Sequence, residues 1–323
     1  MNVVITGISG SGGSYLAEHI LKKKHKVYGL LRDPKKKNSY NIKCLKKYRN
    51  FNIINCPLNN VKKIIKVFIQ TKPDIIFHLA SNADVRKSFY YPYKIIKDNN
   101  ACTLNLLEAA RLLKIKSRIM ICSTAEVYGD VPKGNQPITE SNAVNPMNPY
   151  AVSKTFQDLL AQNYYKIYNL DIIITRMFTY LNARRKNLFS SAFAYQILKL
   201  EKNNFKKKVI KHGNLDSLRS ILDIRDAMEA YWIAAIKGKK GEIYNISSNY
   251  KISVGDFLDK LLNLSKYKIY KKLDKKLIRP NDISLQVASC DKFKKHTKWK
   301  PKYNLDKSIN FFYKECKKNF NNI

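Results

Sequence analysis

Acidic residues, paired cysteines and long apolar runs are all scarce in this sequence. No apolar stretch reaches the about 18 residues that a membrane-spanning helix requires, so we expect no membrane partner. The six cysteines include no Cys-x-x-Cys pair, which argues against a metal site and against a disulfide framework. The first residues lack the basic and apolar regions of a secretory leader. We therefore expect a metal-free protein of the reducing cytoplasm.

The shortage of acidic residues leaves a large positive net charge. Lys and Arg number 61 against 24 Asp and Glu, which gives +37 at pH 7 in 323 residues. Such a charge can indicate a nucleic-acid or anionic-membrane partner, or a lysine-rich surface without a specific role. We favour the second interpretation because the lysines are scattered, whereas nucleic-acid sites interleave charge with aromatic stacking positions. We therefore expect no nucleic-acid partner.

Short apolar runs alternate with amphipathic helical stretches in the first half of the chain, which predicts a Rossmann-type α/β fold with a doubly wound parallel sheet. We assign residues 1–175 to a dinucleotide-binding domain. Residues 176–323 form a smaller C-terminal substrate-binding lobe, with about 220–247 returning to the Rossmann core. The main strand candidates are residues 3–6, 26–31, 74–78, 117–122 and 171–175.

A glycine-rich loop follows the first strand candidate directly. Its spacing, Gly7-x-x-Gly10-x-x-Gly13, permits a tight turn, lets a pyrophosphate approach the backbone, and opens a helix whose N–H groups face the phosphates. At the end of the second strand, Arg32 favours the 2′-phosphate of NADP, while Asp33 would suit the ribose of NAD, the alternative. The candidate cofactor-binding residues are Gly7, Ser9, Gly10, Ser11, Gly13, Arg32, Leu58, Leu79, Ala80, Ser81, Tyr150 and Lys154.

Two motifs supply candidate catalytic groups. Tyr150 and Lys154 are four residues apart, so on a helix they share one face, where an ammonium would lower the phenol pKa and make it a base. Thr124 and Glu126 follow a buried strand and are two residues apart, so in extended geometry both face the same way. We predict Thr124, Glu126, Tyr150 and Lys154 as the catalytic set.

With these motifs together, almost the whole chain resembles the extended short-chain dehydrogenase/reductase superfamily. The nearest likeness is to the branch that holds GDP-mannose 4,6-dehydratase and GDP-6-deoxymannose reductase. The segments similar to that branch are Arg184-Arg185, Gly213-Asn214-Leu215-Asp216 with Arg219, Asp223-Ile224-Arg225-Asp226, Arg279-Pro280-Asn281-Asp282 and, in part, Trp299-Lys300-Pro301.

The resemblance implies that a GDP-linked hexose loses water through internal hydride transfer by NADP. Tyr150, helped by Lys154, would take the 4-hydroxyl proton, Thr124 would hydrogen-bond the 4-oxygen, and Glu126 would take the C5 proton and expel the 6-hydroxyl. A reductase needs no second acid/base, so Glu126 favours a 4,6-dehydratase over the alternatives, a GDP-4-keto-6-deoxymannose reductase or a nucleotide-sugar 4-epimerase. The substrate-binding candidates are Thr179, Asn182, Arg184, Arg185, Asn214, Arg219, Arg279 and Asp282.

Two departures from that branch concern the ligands. Thr179 stands where the branch has Asn, so GDP-N-acetylglucosamine joins GDP-mannose as a candidate substrate. Pro57-Leu58 replaces the Asp-Leu that usually contacts adenine, so backbone groups would serve there. The resemblance also implies a homodimer or homotetramer, formed through the apolar faces of helices 99–113 and 151–168.

Overall fold

The computed structural model describes residues 1–203, 207–278 and 283–321. Its strands, numbered along the chain, are β1 Asn2–Thr6, β2 Lys26–Leu31, β3 Phe51–Asn55, β4 Ile75–His78, β5 Arg118–Thr124, β6 Ile172–Met177, β7 Thr179–Tyr180, β8 Val209–His212, β9 Leu218–Leu222, β10 Ile243–Ile246, β11 Lys251–Ser253, β12 Tyr270–Leu273 and β13 Leu285–Gln286. Its helices are α1 Ser11–Lys22, α2 Tyr40–Lys43, α3 Val61–Thr71, α4 Val85–Tyr90, α5 Pro92–Leu112, α6 Pro149–Tyr168, α7 Phe189–Lys202, α8 Ile224–Lys237, α9 Val254–Leu262, α10 Asp291–Thr297 and α11 Leu305–Asn321.

Seven of these strands form one parallel sheet in the order β10-β6-β5-β4-β1-β2-β3. The chain winds outward from β1 in both directions, so the strand order reverses between β1 and β4. In sheets of this kind ligands bind outside the carboxyl ends of the strands at that reversal. The predicted doubly wound Rossmann-type sheet is confirmed, and its carboxyl edge is where the candidate site lies.

Helices cover both faces of the sheet. Alternate strand residues point to opposite faces, so Val3 and Ile5 pack with α1 and α8, while Val4 packs with α3, α5 and α6. Both sets of side chains are fully buried. This two-sided burial explains why the strands are apolar along their whole length instead of alternating with polar residues.

The second half builds a smaller lobe and also returns to the sheet. Strands β7, β9, β11 and β13 form a mixed sheet, which packs with α7, α9 and α11 around Phe193, Phe257 and Phe312. Strand β10 pairs with β6 at the edge of the main sheet, and α8 packs against α1. The division at residue 175 stays a proposal, with α8 and β10 on the Rossmann side of it.

Membrane-spanning elements are missing from the part of the chain that the structure describes. No helix within residues 1–203, 207–278 or 283–321 combines the length and the apolar character needed to cross a bilayer.

Candidate active site

The glycine-rich loop is compressed between β1 and the segment after β4. Gly7 has a φ of +72°, and a Cβ added there would lie 2.9 Å from the backbone N and Cα of Ala80. A Cβ on Gly13 would lie 2.5 Å from the carbonyl oxygen of Gly7. Both positions therefore require glycine, because a side chain would meet backbone that cannot give way.

The loop leaves the first turn of α1 open to an anion. Gly10 caps the helix without a side-chain hydrogen bond, and the first turn carries no acidic residue. Ser81 stands at the neighbouring strand end with a buried Oγ that has no hydrogen-bond partner among the described residues. A dinucleotide pyrophosphate fits this place, because it can accept from the uncapped N–H groups and from the unpaired Ser81 hydroxyl at the positive end of the helix dipole.

A buried histidine holds the segment after β4 in place. His78 Nδ1 hydrogen-bonds Thr6 Oγ1 at 3.0 Å, and its Nε2 hydrogen-bonds Thr103 Oγ1 at 2.8 Å. Thr6 Oγ1 also accepts the N–H of Ala80 at 3.0 Å. Burial, together with the Lys154 charge, lowers the pKa of His78 to about 3, so its ring is neutral at ordinary pH.

The residues predicted around the adenosine end have the following surroundings. Arg32 is exposed, whereas the carboxylate of Asp33 caps a 3-10 turn by accepting the N–H of Lys35 at 3.0 Å. The carbonyl of Leu58 accepts a hydrogen bond from Asn105 Nδ2 at 2.8 Å. The carbonyl of Ser9 likewise accepts a hydrogen bond from Asn41 Nδ2 at 2.9 Å.

Thr124 and Glu126 meet the predicted catalytic tyrosine, but not through an extended strand. Strand β5 ends at Thr124, and Glu126 lies in the 3-10 turn Ala125–Tyr128, where its N–H donates to Thr124 Oγ1 at 3.3 Å. The expectation of extended geometry was therefore wrong. Both groups still act on Tyr150, because the Glu126 charge raises the pKa of its phenol and a hydrogen bond with Thr124 lowers it.

Tyr150 is a buried phenol with a cation beside it. It enters the site from the first turn of α6. Burial raises the pKa of Tyr150 to about 12, the Arg185 guanidinium opposes this, Glu126 adds to it, and a hydrogen bond with Thr124 opposes it. In the protein without ligands the phenol therefore holds its proton, and Arg185 is the cation that favours the phenolate.

Lys154 lies one turn further along α6 but bonds elsewhere. Its Nζ donates to the carbonyl of Cys122 at 2.5 Å and to Gln157 Oε1 at 2.7 Å. Burial lowers the pKa of Lys154 to about 8. That Lys154 lowers the pKa of Tyr150 stays a prediction, whereas Arg185 does lower it.

A buried ion pair joins the two catalytic segments. Arg176 Nε and Asp158 Oδ2 are 2.8 Å apart, with both side chains at most 4% exposed. Arg176 Nη1 also donates to Tyr128 Oη at 2.9 Å, at the end of the turn that carries Glu126. The helix that holds Tyr150 and the turn that holds Glu126 are thus fixed to the same guanidinium.

The paired arginines have opposite surroundings. The Arg184 guanidinium is 6% exposed, pairs with Glu18, bonds Ser14 Oγ at 3.1 Å and lies 3.8 Å from the centre of the Tyr15 ring. Arg185 faces the cleft beside Tyr150, and its Nη2 donates to the carbonyl of Ala83 at 2.7 Å. The Arg184 guanidinium thus makes its contacts with α1. Its predicted substrate role stays a prediction.

The other substrate candidates are spread over the lobe. Asn182 is buried and donates to Ser11 Oγ at 3.0 Å, which places it against the phosphate loop. Thr179 begins β7 and is half-buried. Asn214 donates to Ser217 Oγ at 3.1 Å, and Arg219 donates to the carbonyls of Leu218 and Ile283. Arg279 and Asp282 lie outside the described residues.

The sequence-based set omitted three residues of the cleft. Asn148 donates to Glu126 Oε2 at 3.0 Å, and Gln157 bonds Lys154 at 2.7 Å. The phenol oxygen of Tyr180 lies 3.2 Å from the place where a Cβ on Gly12 would be, against the phosphate loop. Asn148 alone had a local signal, since an Asn before Pro at a helix start is typical of an N-cap. The described residues contain no cluster of three or more metal-ligating side chains.

The fold, the glycine cradle and the Thr-Glu-Tyr-Lys set define an extended short-chain dehydrogenase/reductase. A sequence model of the GDP-mannose 4,6 dehydratase family matches residues 4–311. The GDP-mannose 4,6 dehydratase of Homo sapiens is 25% identical over 334 residues, covering 95% of this chain and 88% of the relative. The dTDP-D-glucose 4,6-dehydratase of Dictyostelium discoideum is 32% identical over 274 residues, covering 81% of this chain but only 62% of the relative.

Solved structures share this fold. The UDP-glucuronic acid 4-epimerase of Bacillus cereus, in complex with UDP-glucuronic acid and NAD, superposes with a TM-score of 0.86 at 25% identity, covering 98% of this chain and 99% of that one. RMD of Pseudomonas aeruginosa, complexed with NADPH, gives a TM-score of 0.82 at 21% identity, covering 99% and 100%. The chain belongs to the GDP-mannose 4,6-dehydratase family, which confirms the predicted branch. Its cradle is that of a nicotinamide-dinucleotide enzyme.

Proposed function

We propose that this protein is a GDP-sugar 4,6-dehydratase that retains NADP and forms a GDP-4-keto-6-deoxy sugar. The single observation that carries the proposal is the position of the Glu126 carboxylate, which accepts a 3.0 Å hydrogen bond from Asn148, the N-cap of the helix that carries Tyr150. A reductase or a 4-epimerase moves one proton at the 4-oxygen and needs no second acid/base group. Elimination of water across C5 and C6 requires one, and Glu126 is the group available.

The residues divide the proton transfers between them. Tyr150 accepts the proton of the sugar 4-hydroxyl, and Thr124 hydrogen-bonds the same oxygen. Arg185 is the cation that favours the phenolate form of Tyr150, and Lys154 lies one turn further along the same helix. Glu126 takes the C5 proton and gives it to the departing 6-hydroxyl as water forms, and the proton that Tyr150 took from the 4-hydroxyl is then given to C5. When bound, the nicotinamide supplies a hydride acceptor that later gives the hydride back.

The surroundings of Arg32 and Asp33 support NADP over NAD. The Asp33 carboxylate is occupied by the N–H of Lys35, whereas Arg32 is exposed and belongs to none of the ion pairs found among the described residues. A free guanidinium at the end of β2 suits a 2′-phosphate. The first turn of α1 and the segment 79–81 would hold the pyrophosphate and the neighbouring ribose.

The substrate would lie between Arg185 and the lobe. Arg185 borders the reacting groups, and Arg219 with Asn214 stands further out in the lobe, where a guanidinium suits a diphosphate. Thr179 stands where the family pattern has Asn, so a hydroxyl and a methyl group replace an amide, which changes the hydrogen bonds this position offers to a hexose. GDP-mannose and GDP-N-acetylglucosamine are therefore the two substrates to compare.

The decisive experiment uses the purified protein without added reductant. Each GDP-sugar is incubated in turn, and mass spectrometry follows the product. We expect loss of one water with no net change in NADPH. A second reaction contains NADPH and a GDP-4-keto-6-deoxy sugar. Consumption of NADPH there, with no water loss in the first reaction, would replace the proposal by a reductase, and epimerised sugar of unchanged mass would replace it by an epimerase.

The Glu126→Gln variant identifies the group responsible. We expect elimination to fall by a factor of 100 or more, within the range for loss of a general acid/base. Binding of GDP and NADPH should stay within about twofold, because the amide keeps the shape of the carboxylate. Elimination at the native rate in this variant would remove Glu126 from the mechanism.

We also propose that two copies of the chain associate through α5 and α6. Large apolar side chains on these helices are exposed to solvent by 39% or more of their surface, and a row of them on two adjacent helices suits burial against the same surface of a second copy. Light scattering at micromolar concentration should give at least twice the mass of one chain, and a monomeric mass would reject the proposal. The exposed residues are Leu104, Leu112, Val152, Phe156 and Leu159.

A further inference from the structure

Gln157 stands out because it is a fully buried amide in the interior beneath the catalytic cleft. It lies on α6 three residues after Lys154, and none of its surface is exposed. Its Oε1 accepts from Lys154 Nζ at 2.7 Å, and its Nε2 donates to the backbone carbonyl of Asn99 at 2.8 Å. Burying an amide is costly unless its bonds are made, so an apolar side chain would be the simpler filling here.

The far end of this bridge is rigid. Asn99, on α5, accepts the N–H of Asn82 at 2.6 Å and donates to Ser153 Oγ at 2.9 Å. Its own side chain is 2% exposed. The carbonyl that accepts from Gln157 therefore belongs to a residue of α5 whose side chain is hydrogen-bonded both to the segment after β4 and to α6.

We propose that Gln157 is a positioning residue, which fixes the Lys154 ammonium at the floor of the site by bridging it to the Asn99 carbonyl. Lysine has a long, flexible side chain with three donors. The carbonyl of Cys122 and the amide of Gln157 take two of them. Among the described residues no third acceptor bonds Nζ, so one donor is left for a ligand.

The protonation of Lys154 depends on its hydrogen bond to Gln157. The titratable groups that surround it are His78 on β4, Cys122 on β5 and Asp158 on α6, and Tyr231 of α8 lies against the same thiol. Burial opposes the ammonium, and Asp158, the one carboxylate in this group, is shared with Arg176. Hydrogen bonds that the ammonium donates to neutral acceptors favour its charged form, so removing one acceptor destabilises that form.

The test compares side chains that remove or strengthen the acceptor. Gln157→Leu and Gln157→Asn break the bridge, and Gln157→Glu replaces a neutral acceptor by a charged one. Thr155→Val is the control, because this buried hydroxyl on the same helix has no partner among the described residues. Two quantities are measured from pH 6 to 10: NADPH affinity, by the fluorescence of the reduced nicotinamide, and kcat/KM for water loss. Thermal unfolding is recorded in parallel.

We expect Gln157→Leu and Gln157→Asn to move the alkaline limb of both profiles to lower pH by about one unit, and Gln157→Glu to move it to higher pH. Thr155→Val should leave the limb in place. Shifts of opposite sign are not what a packing defect produces, even where thermal stability falls. Equal limbs in all variants, or a shift in the same direction for Leu and Glu, would overturn the inference.

The inference rests on the proposed function only as far as dinucleotide binding. The fluorescence titration contains no sugar. A protein inactive on both GDP-sugars would therefore contradict the proposed substrate, while the pH dependence of NADPH binding would still decide the role of Gln157.

Discussion

Asn148 supports Glu126 and the helix of Tyr150 at the same time. Its Nδ2 donates to Glu126 Oε2 at 3.0 Å, and its Oδ1 accepts the N–H of Ala151 at 2.8 Å as the N-cap of α6. The two groups that we propose for proton transfer are therefore positioned by one side chain. A change at residue 148 can alter the carboxylate without disturbing the helix, since Asp caps helices as well as Asn does.

Asn148→Asp separates these two roles. The cap is kept, but a second carboxylate then faces Glu126, and like charges disfavour the ionised form. We expect roughly tenfold slower elimination at pH 7, an acidic limb displaced to higher pH, and a melting temperature close to native. The measurements are kcat against pH and thermal unfolding. Asn148→Ser, an uncharged cap, is the control, and an unmoved acidic limb in Asn148→Asp would contradict the contact.

Gly7→Ala tests the dinucleotide cradle. An alanine at position 7 would have to keep a left-handed backbone conformation, which costs about 1–2 kcal/mol. Its methyl group would also lie 2.9 Å from the Ala80 backbone. We expect NADPH affinity to fall at least tenfold in a fluorescence titration, together with a lower melting temperature. Gly134→Ala is the matched control, because a Cβ there meets nothing within 4 Å. Native affinity in Gly7→Ala would show that the loop is not the dinucleotide site.

Arg185→Met tests the cation beside the phenol. Without the guanidinium, the pKa of Tyr150 should rise further, since Arg185 is the largest influence that lowers it. A base with a higher pKa is less ionised at neutral pH, so kcat should fall and its acidic limb should move to higher pH. Arg185→Lys keeps the charge and should recover part of the rate. Identical pH profiles for Arg185→Met and the native protein would remove this role from Arg185.

His78 predicts an acid-sensitive fold. Its pKa is lowered to about 3 in the folded protein against 6.5 for the free group, so the unfolded chain binds the extra proton first as pH falls. Stability from this group is complete above about pH 6.5 and declines towards pH 3, by about 3 kcal/mol at pH 4. Urea unfolding at pH 7 and pH 4 should show a smaller loss in His78→Gln than in the native protein. Equal losses would refute the assignment.

The central sheet was predictable because β1, β4, β5 and β6 are buried almost throughout, and such strands stand out as branched apolar runs. The edge strand β3, which is only partly buried, gave a weaker signal. The strands of the C-terminal lobe were harder to predict from the sequence. Strands β7 and β13 have two residues each, and their pairing with β9 depends on contacts between distant parts of the chain. Helix α5 begins at Pro92, before the predicted residue 99. Its first turns were missed because Pro92, Tyr93 and Lys94 are exposed and Ile95 alone among residues 92–98 is buried.

In the candidate site, too, some residues were predictable from the sequence and others depended on distant contacts. Residue types at fixed spacing indicated Thr124, Glu126 and Tyr150, and the structure places these three together. The surroundings of Arg184 and Arg185 could not be predicted, since adjacent identical residues take partners from Glu18 and from Ala83, both distant in sequence. The direction of the Lys154 ammonium likewise depends on a carbonyl of β5, which carries no sequence signal.

The hydrogen bond from Asn182 to Ser11 has a thermodynamic consequence for ligand binding. Asn182, which we propose lines the sugar pocket, and the first turn of α1, which we propose holds the dinucleotide, share this contact, and the Arg184–Glu18 pair also joins the lobe to α1. Occupying either pocket would therefore order the other. By linkage, any factor by which the dinucleotide strengthens binding of the nucleotide sugar is returned in full when the order of addition is reversed.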